Sequence, residues 1–315
     1  MEWHDLAFMQ SGHNMAAAGL ALAASAILSF IDNFVAAVGQ EAGLWQFHVF
    51  RTLFAIPMFL AIALATRTRL RPLGLKKLAG RSLVVSAGLL IYFAALGTLP
   101  VAQAGAGLFS APLWVAILSV VIFGHRLGFT RWIAVFVGFA GALMLLQPDP
   151  NTLTVMSLLP LAAGLFYGLG MMLTGIWCVQ ESPLSLALGV FLTIGIASLV
   201  MLSVTTALPG DTFLTAPWVT PTPRFLWLTL VQAIGAVIAV TLIAQAYRTG
   251  APAVVAVFEY SFLIFASLWS ILLWGIPTNA LAIAGIAVIL SAGSLMTFAG
   301  RKRPDALTPA TPDKT

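Results

Sequence analysis

Ten continuous apolar stretches occupy most of the chain, and short polar segments separate them. A helix needs roughly 20 apolar residues to cross the hydrocarbon core of a bilayer, and the stretches have about this length. Their residues do not alternate between apolar and polar, as the strands of a membrane-spanning barrel would. The pattern therefore predicts an all-α integral membrane protein with ten transmembrane helices. These lie near residues 15–38, 44–65, 82–99, 102–123, 132–147, 155–178, 184–207, 225–247, 251–274 and 279–299.

The composition agrees with a surface that faces lipid. Of the 315 residues, 60% are hydrophobic and only 8% are charged, and the mean hydropathy is +1.01. Soluble domains carry about 25% charged residues. Cys178 is the only cysteine, which excludes an internal disulfide, and the sequence contains neither a zinc-type Cys/His cluster nor a phosphate-binding glycine loop. No cofactor or metal is therefore expected.

Lysines and arginines fall almost entirely on one side when the predicted loops are assigned alternately to the two membrane faces. The segment between the second and third stretches holds Arg81 and five other basic residues, whereas the opposite face has Arg224 alone. By the positive-inside rule, both termini then lie in the cytoplasm of a bacterial inner membrane. The net charge of +5 reflects this topology, so the expected partner is the lipid bilayer and not nucleic acid. Residues 1–14 and 300–315 are expected to form a cytoplasmic segment and a disordered tail.

The two halves of the chain resemble each other weakly. Residues 102–124 and 251–275 are both rich in Ala and Leu, both lead into a Gly- and Ala-containing stretch, and they are about 150 residues apart. The pattern predicts two five-helix repeats, at 15–147 and 155–299. Because five is odd, the second repeat must be inverted relative to the first. Inverted repeats are typical of secondary transporters, whose substrate site lies near the middle of the membrane between the repeats.

Three segments carry a resemblance to a known family: SFIDNFVAAVG, FHVFRTLFA and VVAVFEYSF, at 29–39, 47–55 and 254–262. With ten spans, the chain resembles the EamA branch of the drug/metabolite transporter superfamily over nearly its whole length. The resemblance implies a small polar or zwitterionic organic substrate, such as an S-adenosylmethionine-like compound, an acylcarnitine or riboflavin. It also implies alternating access driven by protons or by exchange, in a monomer or homodimer. One departure is Ala36, where members of this subgroup often have lysine.

Two other classes of protein stay open at this point. The first is a channel or a scaffold that transports nothing. The second is an intramembrane enzyme, but Asp32 and Glu259, the carboxylates that such an enzyme would pair, differ in depth by about 9 Å according to the helical rise.

Asp32, Arg51 and Glu259 are the full charges within the apolar stretches. Each costs about 2.5–3.5 kcal/mol at the middle of a bilayer, so each is a candidate functional residue. Helical rise places Asp32 and Arg51 about 9–10 Å below the same membrane edge, on consecutive antiparallel helices. We therefore expect them to form an ion pair. The pair either fastens the two helices together or contacts substrate near the outer mouth.

Glu259 has no other full charge in its stretch, and the matching residues of the first repeat, Phe109 and Ser110, are uncharged. The repeat architecture thus does not itself require a carboxylate there. Two interpretations remain: Glu259 binds a proton or a cation during transport, or it forms a structural hydrogen bond to a neighbouring helix.

The remaining candidates are polar or aromatic residues within the stretches. His48 shares a helix face with Arg51, either as a packed core residue or as a proton relay. The aromatic candidates either line a substrate cavity or anchor the helices at the membrane interface. The full set beyond the three charges is His48, Tyr92, Gln103, Trp114, Tyr167, Gln232 and Tyr260.

Overall fold

The structure is a computed structural model that describes residues 3–96, 105, 107–122, 124, 127–147, 151, 159–275 and 279–302. Every regular element in these residues is helical, which confirms the predicted all-α class. Gln103 and the tail beyond residue 302 lie outside the described residues. Twelve helices occur in the described part of the chain: α1 Trp3–Asp32, α2 Val35–Gly39, α3 Leu44–Thr66, α4 Leu75–Leu96, α5 Ala111–Val121, α6 Phe129–Leu146, α7 Leu159–Trp177, α8 Pro183–Ala207, α9 Pro223–Thr249, α10 Pro252–Glu259, α11 Ser261–Trp274 and α12 Ala280–Lys302.

Eight helical segments among the described residues are long and apolar enough to cross a membrane. Two shorter apolar helices, Ala111–Val121 and Ala280–Leu295, coincide with the fourth and tenth predicted stretches. The count of ten spans remains a prediction. The eight long segments are His13–Gly39, Leu44–Thr66, Leu75–Ala95, Phe129–Leu146, Leu159–Trp177, Pro183–Ala207, Pro223–Thr249 and Pro252–Leu273.

Helix α4 begins earlier than the sequence pattern predicts, and this changes the position of Arg81. We placed Arg81 in a loop, but it lies inside α4 with 0% of its surface exposed. Glu181 accepts hydrogen bonds from the backbone N–H groups of Leu73 (2.9 Å) and Gly74 (2.7 Å), at the start of α4. A carboxylate stabilises a helix N-terminus through the helix dipole. The early start therefore has a physical cause in a distant residue.

The loops meet at two opposite ends of the bundle. At one end, the indole N–H of Trp45 donates to the carbonyl of Leu214 (2.7 Å), and Arg224 forms an ion pair with Glu41 (3.2 Å). At the other end, the hydroxyl of Ser182 donates to the carbonyl of Arg69 (2.7 Å). Loops that the sequence pattern assigns to the same membrane face therefore lie at the same end of the bundle.

Helices of the two halves pack mainly against each other. The most extensive pairings join α6 with α12, α4 with α7, α1 with α9 and α3 with α8. Glycines permit the closest approaches. A Cβ built on Gly141 of α6 would lie 2.9 Å from the carbonyl oxygen of Gly285 in α12, and one built on Gly285 would lie 2.8 Å from that of Gly141.

Three glycines of α7 lie in close contacts with neighbouring helices. A Cβ on Gly164 or Gly168 would meet backbone atoms at the start of α5, and one on Gly170 would meet Val85 of α4. Because of these contacts, α7 and its Tyr167 are fixed between α4 and α5.

A tight turn interrupts the helix that carries Glu259. Tyr260, between α10 and α11, donates its N–H to Val257 (3.3 Å) and accepts one from Leu263 (3.0 Å). The same bonds occur 150 residues earlier, where Ser110 donates to Gly107 (3.1 Å) and accepts from Leu113 (2.9 Å). Glu259 is thus the last residue before the turn.

Candidate functional site

Five of the predicted residues come together in one group, which we call the Arg51 cluster: Asp32, His48, Arg51, Tyr92 and Gln232. Asp32 ends α1, His48 and Arg51 lie on α3, Tyr92 lies on α4 and Gln232 lies on α9. Electrostatic interactions link Asp32 with Arg51 and Tyr92, and link Arg51 with His48. The cluster therefore takes its residues from both halves of the chain.

Arg51 is held by aromatic rings. Its guanidinium carbon lies 5.1 Å from the ring centroid of Phe191 and 5.9 Å from that of Phe47. Such contacts stabilise a cation in surroundings with little water. Arg51 forms no hydrogen bond with any described residue, and its buried Nε atom has no partner. Its donors are therefore free to bind another group.

Asp32 does not form the predicted ion pair with Arg51. Both residues lie in the described part of the chain, yet the structure has no nitrogen–oxygen contact within 4.0 Å between them. Instead, the side-chain amide of Gln232 donates to Oδ1 of Asp32 (3.3 Å) and to the carbonyl of Ile31 (3.1 Å). The prediction was wrong because depth along the membrane normal does not determine lateral separation, and because the phenylalanine rings and Gln232 hold the two charges separately.

The cluster contains further polar atoms that have no partner among the described residues. His48 is 1% exposed, and neither of its ring nitrogens forms a hydrogen bond. Its ring packs edge-on against Phe93, with the centroids 4.7 Å apart. Oε1 of Gln232 is also buried without a partner. Buried polar groups in native proteins nearly always have hydrogen-bond partners, so this concentration is typical of a site that binds water or a ligand.

Glu259 lies in a second group, the Glu259 cluster, which consists of Glu259, Tyr167 and Tyr247. The hydroxyl of Tyr167 donates to Oε1 of Glu259 (2.7 Å), and the hydroxyl of Tyr247 donates to Oε2. The carboxylate therefore has hydrogen-bonded partners on α7 and α9. Hydrogen bonds to neighbouring helices are the contacts that a structural role of Glu259 predicts.

Sequence reasoning missed two buried residues near this cluster. Tyr247 is 1% exposed, although it is the last residue of the predicted span 225–247 and nothing in the apolar pattern singles it out. Arg81 was assigned to a loop. Its Nε–H donates to the hydroxyl of Thr174 (2.6 Å), and its guanidinium also donates to the carbonyl of Leu186 (3.1 Å). No ion pair to Arg81 occurs within the described residues.

The other aromatic candidates occupy separate positions. The indole N–H of Trp114 donates to the hydroxyl of Ser110 (3.1 Å). Tyr260 is fully buried, and its hydroxyl has no partner. Its ring fills the space beside Gly138 of α6, where a Cβ would lie 2.6 Å from it. In the described part of the chain, no group of His, Cys, Asp and Glu residues is arranged to hold a metal ion.

Comparisons with known proteins agree with this architecture. Residues 15–147 match the EamA-like transporter family. A riboflavin transporter of Rhizobium johnstonii is 27% identical over 279 residues, which cover 88% of this chain and 87% of that protein. A riboflavin transporter of Vibrio cholerae is 26% identical over 206 residues, which cover 64% of this chain and 65% of that protein. A solved structure, titled only as the crystal structure of a protein, has a TM-score of 0.76 at 17% identity and covers 91% of this chain and 98% of its own. That likeness shows the fold alone.

Proposed function

We propose that this chain, whose residues 15–147 match the EamA-like transporter family, is a member of that family and a secondary transporter of riboflavin or a closely similar planar metabolite. The transporter class follows from the family and from the multi-pass membrane character. The substrate is proposed from the two relatives, which are riboflavin transporters, and from the chemistry of the Arg51 cluster. A planar metabolite is a narrower substrate class than the polar or zwitterionic class that the sequence implies.

One observation carries the proposal: the Arg51 cluster joins residues of both halves and leaves polar atoms of His48, Arg51 and Gln232 without partners. Arg51 supplies donors and Asp32 supplies an acceptor. The rings of Phe47, Phe93 and Phe191 add apolar faces. A ring system with polar edges matches these features. Because the lining comes from both halves, a movement of one half against the other changes access to the site.

We further propose that ten spans form two inverted five-helix repeats and work by alternating access. Three observations support this architecture. The tight turn at Ser110 recurs at Tyr260. Gly141 and Gly285 approach each other reciprocally. In the two repeats α1 corresponds to α7, and α4 corresponds to α9. The packing of α4 against α7 therefore has its counterpart in the packing of α9 against α1.

We place both termini in the cytoplasm of a bacterial inner membrane. Arg69, Arg71 and Arg248 surround one end of the bundle, while Arg224 at the other end is paired with Glu41. Moving Arg81 from a loop into the bundle leaves this asymmetry in place. The positive-inside rule then assigns the arginine-rich end to the cytoplasm.

For the driving force, we propose that Glu259 binds and releases a proton during the cycle. It is a partly buried titratable side chain among apolar helices, and both of its oxygens contact helices that such a cycle moves. A protonated carboxyl group has one donor and accepts less strongly, so the proton changes the contacts with Tyr167 and Tyr247.

The test is uptake of radiolabelled riboflavin into proteoliposomes that contain the purified protein. We expect saturable uptake that riboflavin preloaded inside the vesicles accelerates and that Arg51→Leu abolishes. Arg224→Leu, which removes an arginine that is 62% exposed, is the matched control and keeps uptake intact. Flux that neither saturates nor responds to preloaded riboflavin would indicate a channel, and no flux above empty vesicles would refute the proposal.

A further inference from the structure

Two opposite charges in the Arg51 cluster interact without forming an ion pair. Asp32, Arg51 and Tyr92 are each partly accessible, although they lie within the bundle. Asp32 and Arg51 interact electrostatically, but no side-chain nitrogen of Arg51 lies within 4.0 Å of a carboxylate oxygen of Asp32. A hydrogen bond spans about 2.9 Å, so a ligand edge that bonds to both groups needs a gap wider than a direct ion pair. The gap is therefore suited to a ligand that lies between the two charges.

The charges restrict the group that fits. A carboxylate or phosphate would bind Arg51 but would be repelled by Asp32, and an amine would bind Asp32 but would be repelled by Arg51. A neutral edge that offers an acceptor beside a donor satisfies both. A carbonyl accepts from the guanidinium, and an adjacent N–H donates to the carboxylate. Hydrogen bonds to charged groups of this kind are about twice as strong as neutral ones.

The surroundings favour a flat ring over a zwitterionic amino acid, whose two charged groups branch from a tetrahedral carbon. Phe47 and Phe191 lie beside the guanidinium, and Phe93 contacts the ring of His48. These rings make the surroundings of Arg51 and His48 apolar on the sides that they cover. A planar heterocycle can place its faces against the rings and direct its polar edge to the charges.

We infer that the substrate binds through a cyclic imide edge, with a carbonyl oxygen on Arg51 and the imide N–H on Oδ2 of Asp32, the oxygen that Gln232 leaves free. This inference rests on the proposed function and makes it more specific. Riboflavin contains such an edge, in which the imide nitrogen N3 lies between two carbonyl groups. Uracil and thymine have the same edge.

The test compares the binding of riboflavin and N3-methylriboflavin to the purified protein by fluorescence titration. Methylation replaces the N–H and leaves the ring system and the hydroxyl chain in place. We expect it to weaken binding to the unmodified protein about tenfold or more, since it removes one hydrogen bond to a charged group. In Asp32→Ala, riboflavin itself binds more weakly, and methylation has no further effect.

Glu41→Ala removes a different carboxylate, which lies at the end of the bundle and bonds to Arg224, so the full effect of methylation should persist in that control. Equal binding of the two flavins, or the same methylation effect in Asp32→Ala as in the unmodified protein, would overturn the inference and leave the proposed function intact. Displacement of riboflavin by amino acids but not by uridine would also overturn it, in favour of a zwitterion site. Failure of riboflavin to bind at all would overturn both proposals.

Discussion

Tyr167 and Glu259 are joined by a hydrogen bond of 2.7 Å between α7 and α10. Tyr247 of α9 binds the other oxygen of the same carboxylate. One carboxylate therefore holds two tyrosines that lie on different helices. An ionised carboxylate accepts both bonds, whereas a protonated one donates one bond of its own. A proton on Glu259 must then weaken or reverse one of the two contacts, which links the protonation of this residue to helix packing.

Glu259→Gln should abolish the dependence of transport on a proton gradient while the protein still folds and inserts. Glutamine has nearly the same shape and can accept from one tyrosine, but it does not titrate near neutral pH. The measurement is riboflavin uptake into proteoliposomes with and without an inward proton gradient. We expect equal rates for the variant.

The control for this prediction is Glu41→Gln, a carboxylate at the end of the bundle that is hydrogen-bonded to Thr222 and Arg224. It should keep the response of the unmodified protein. An unchanged gradient response in Glu259→Gln would assign Glu259 a purely structural role.

Thr174→Val should destabilise the protein through Arg81. The hydroxyl of Thr174 accepts a hydrogen bond of 2.6 Å from the fully buried guanidinium. Valine has the same shape without the oxygen, and it leaves a charged donor without its partner at a cost of about 1–3 kcal/mol. Thermal unfolding in detergent should show a lower midpoint.

Thr241→Val provides the comparison, because the hydroxyl of Thr241 bonds only within its own helix, to the carbonyl of Val237 (2.6 Å). It should leave the midpoint nearly unchanged. If both variants shift the midpoint equally, Arg81 does not depend on Thr174.

Glu181→Gln should weaken the start of α4. Its carboxylate accepts from the N–H groups of Leu73 and Gly74, and the negative charge also interacts favourably with the helix dipole. Glutamine keeps one acceptor oxygen but loses the charge, at a cost of about 0.3–2 kcal/mol. Because salt screens the dipole interaction, the loss of stability should diminish at high salt; a loss independent of salt would contradict this explanation.

The apolar pattern predicts the helical architecture well because each span must bury its backbone groups and face lipid along one side. The glycines of α7 lie where the helices approach most closely, since close helix contacts require small residues. The two charges of the Arg51 cluster stand out in the sequence as candidates too, because full charges are costly in a bilayer and are kept for specific roles.

Lateral arrangement is not predictable in the same way. Depth alone suggested that Asp32 and Arg51 touch, but the phenylalanine rings that hold Arg51 come partly from α8, far away in sequence. Arg81 appeared to belong to a loop because Glu181, which binds the N–H groups at the start of α4, is about a hundred residues distant. Tyr247 gave no signal, because only the three-dimensional packing brings it to Glu259.

Gly141→Ala and Gly285→Ala should each destabilise the contact between α6 and α12. In both cases the added Cβ meets a backbone oxygen, at 2.9 Å and 2.8 Å, and backbone atoms cannot move aside as a flexible side chain does. Overpacking of this kind costs about 1–3 kcal/mol. Gly19→Ala is the matched control, because no heavy atom lies within 4 Å of its added Cβ and alanine favours the helix. Thermal unfolding in detergent should give lower midpoints for the first two variants and an equal or higher one for the third. Midpoints that fall equally in all three would show that the reciprocal glycine contact does not hold the two helices together.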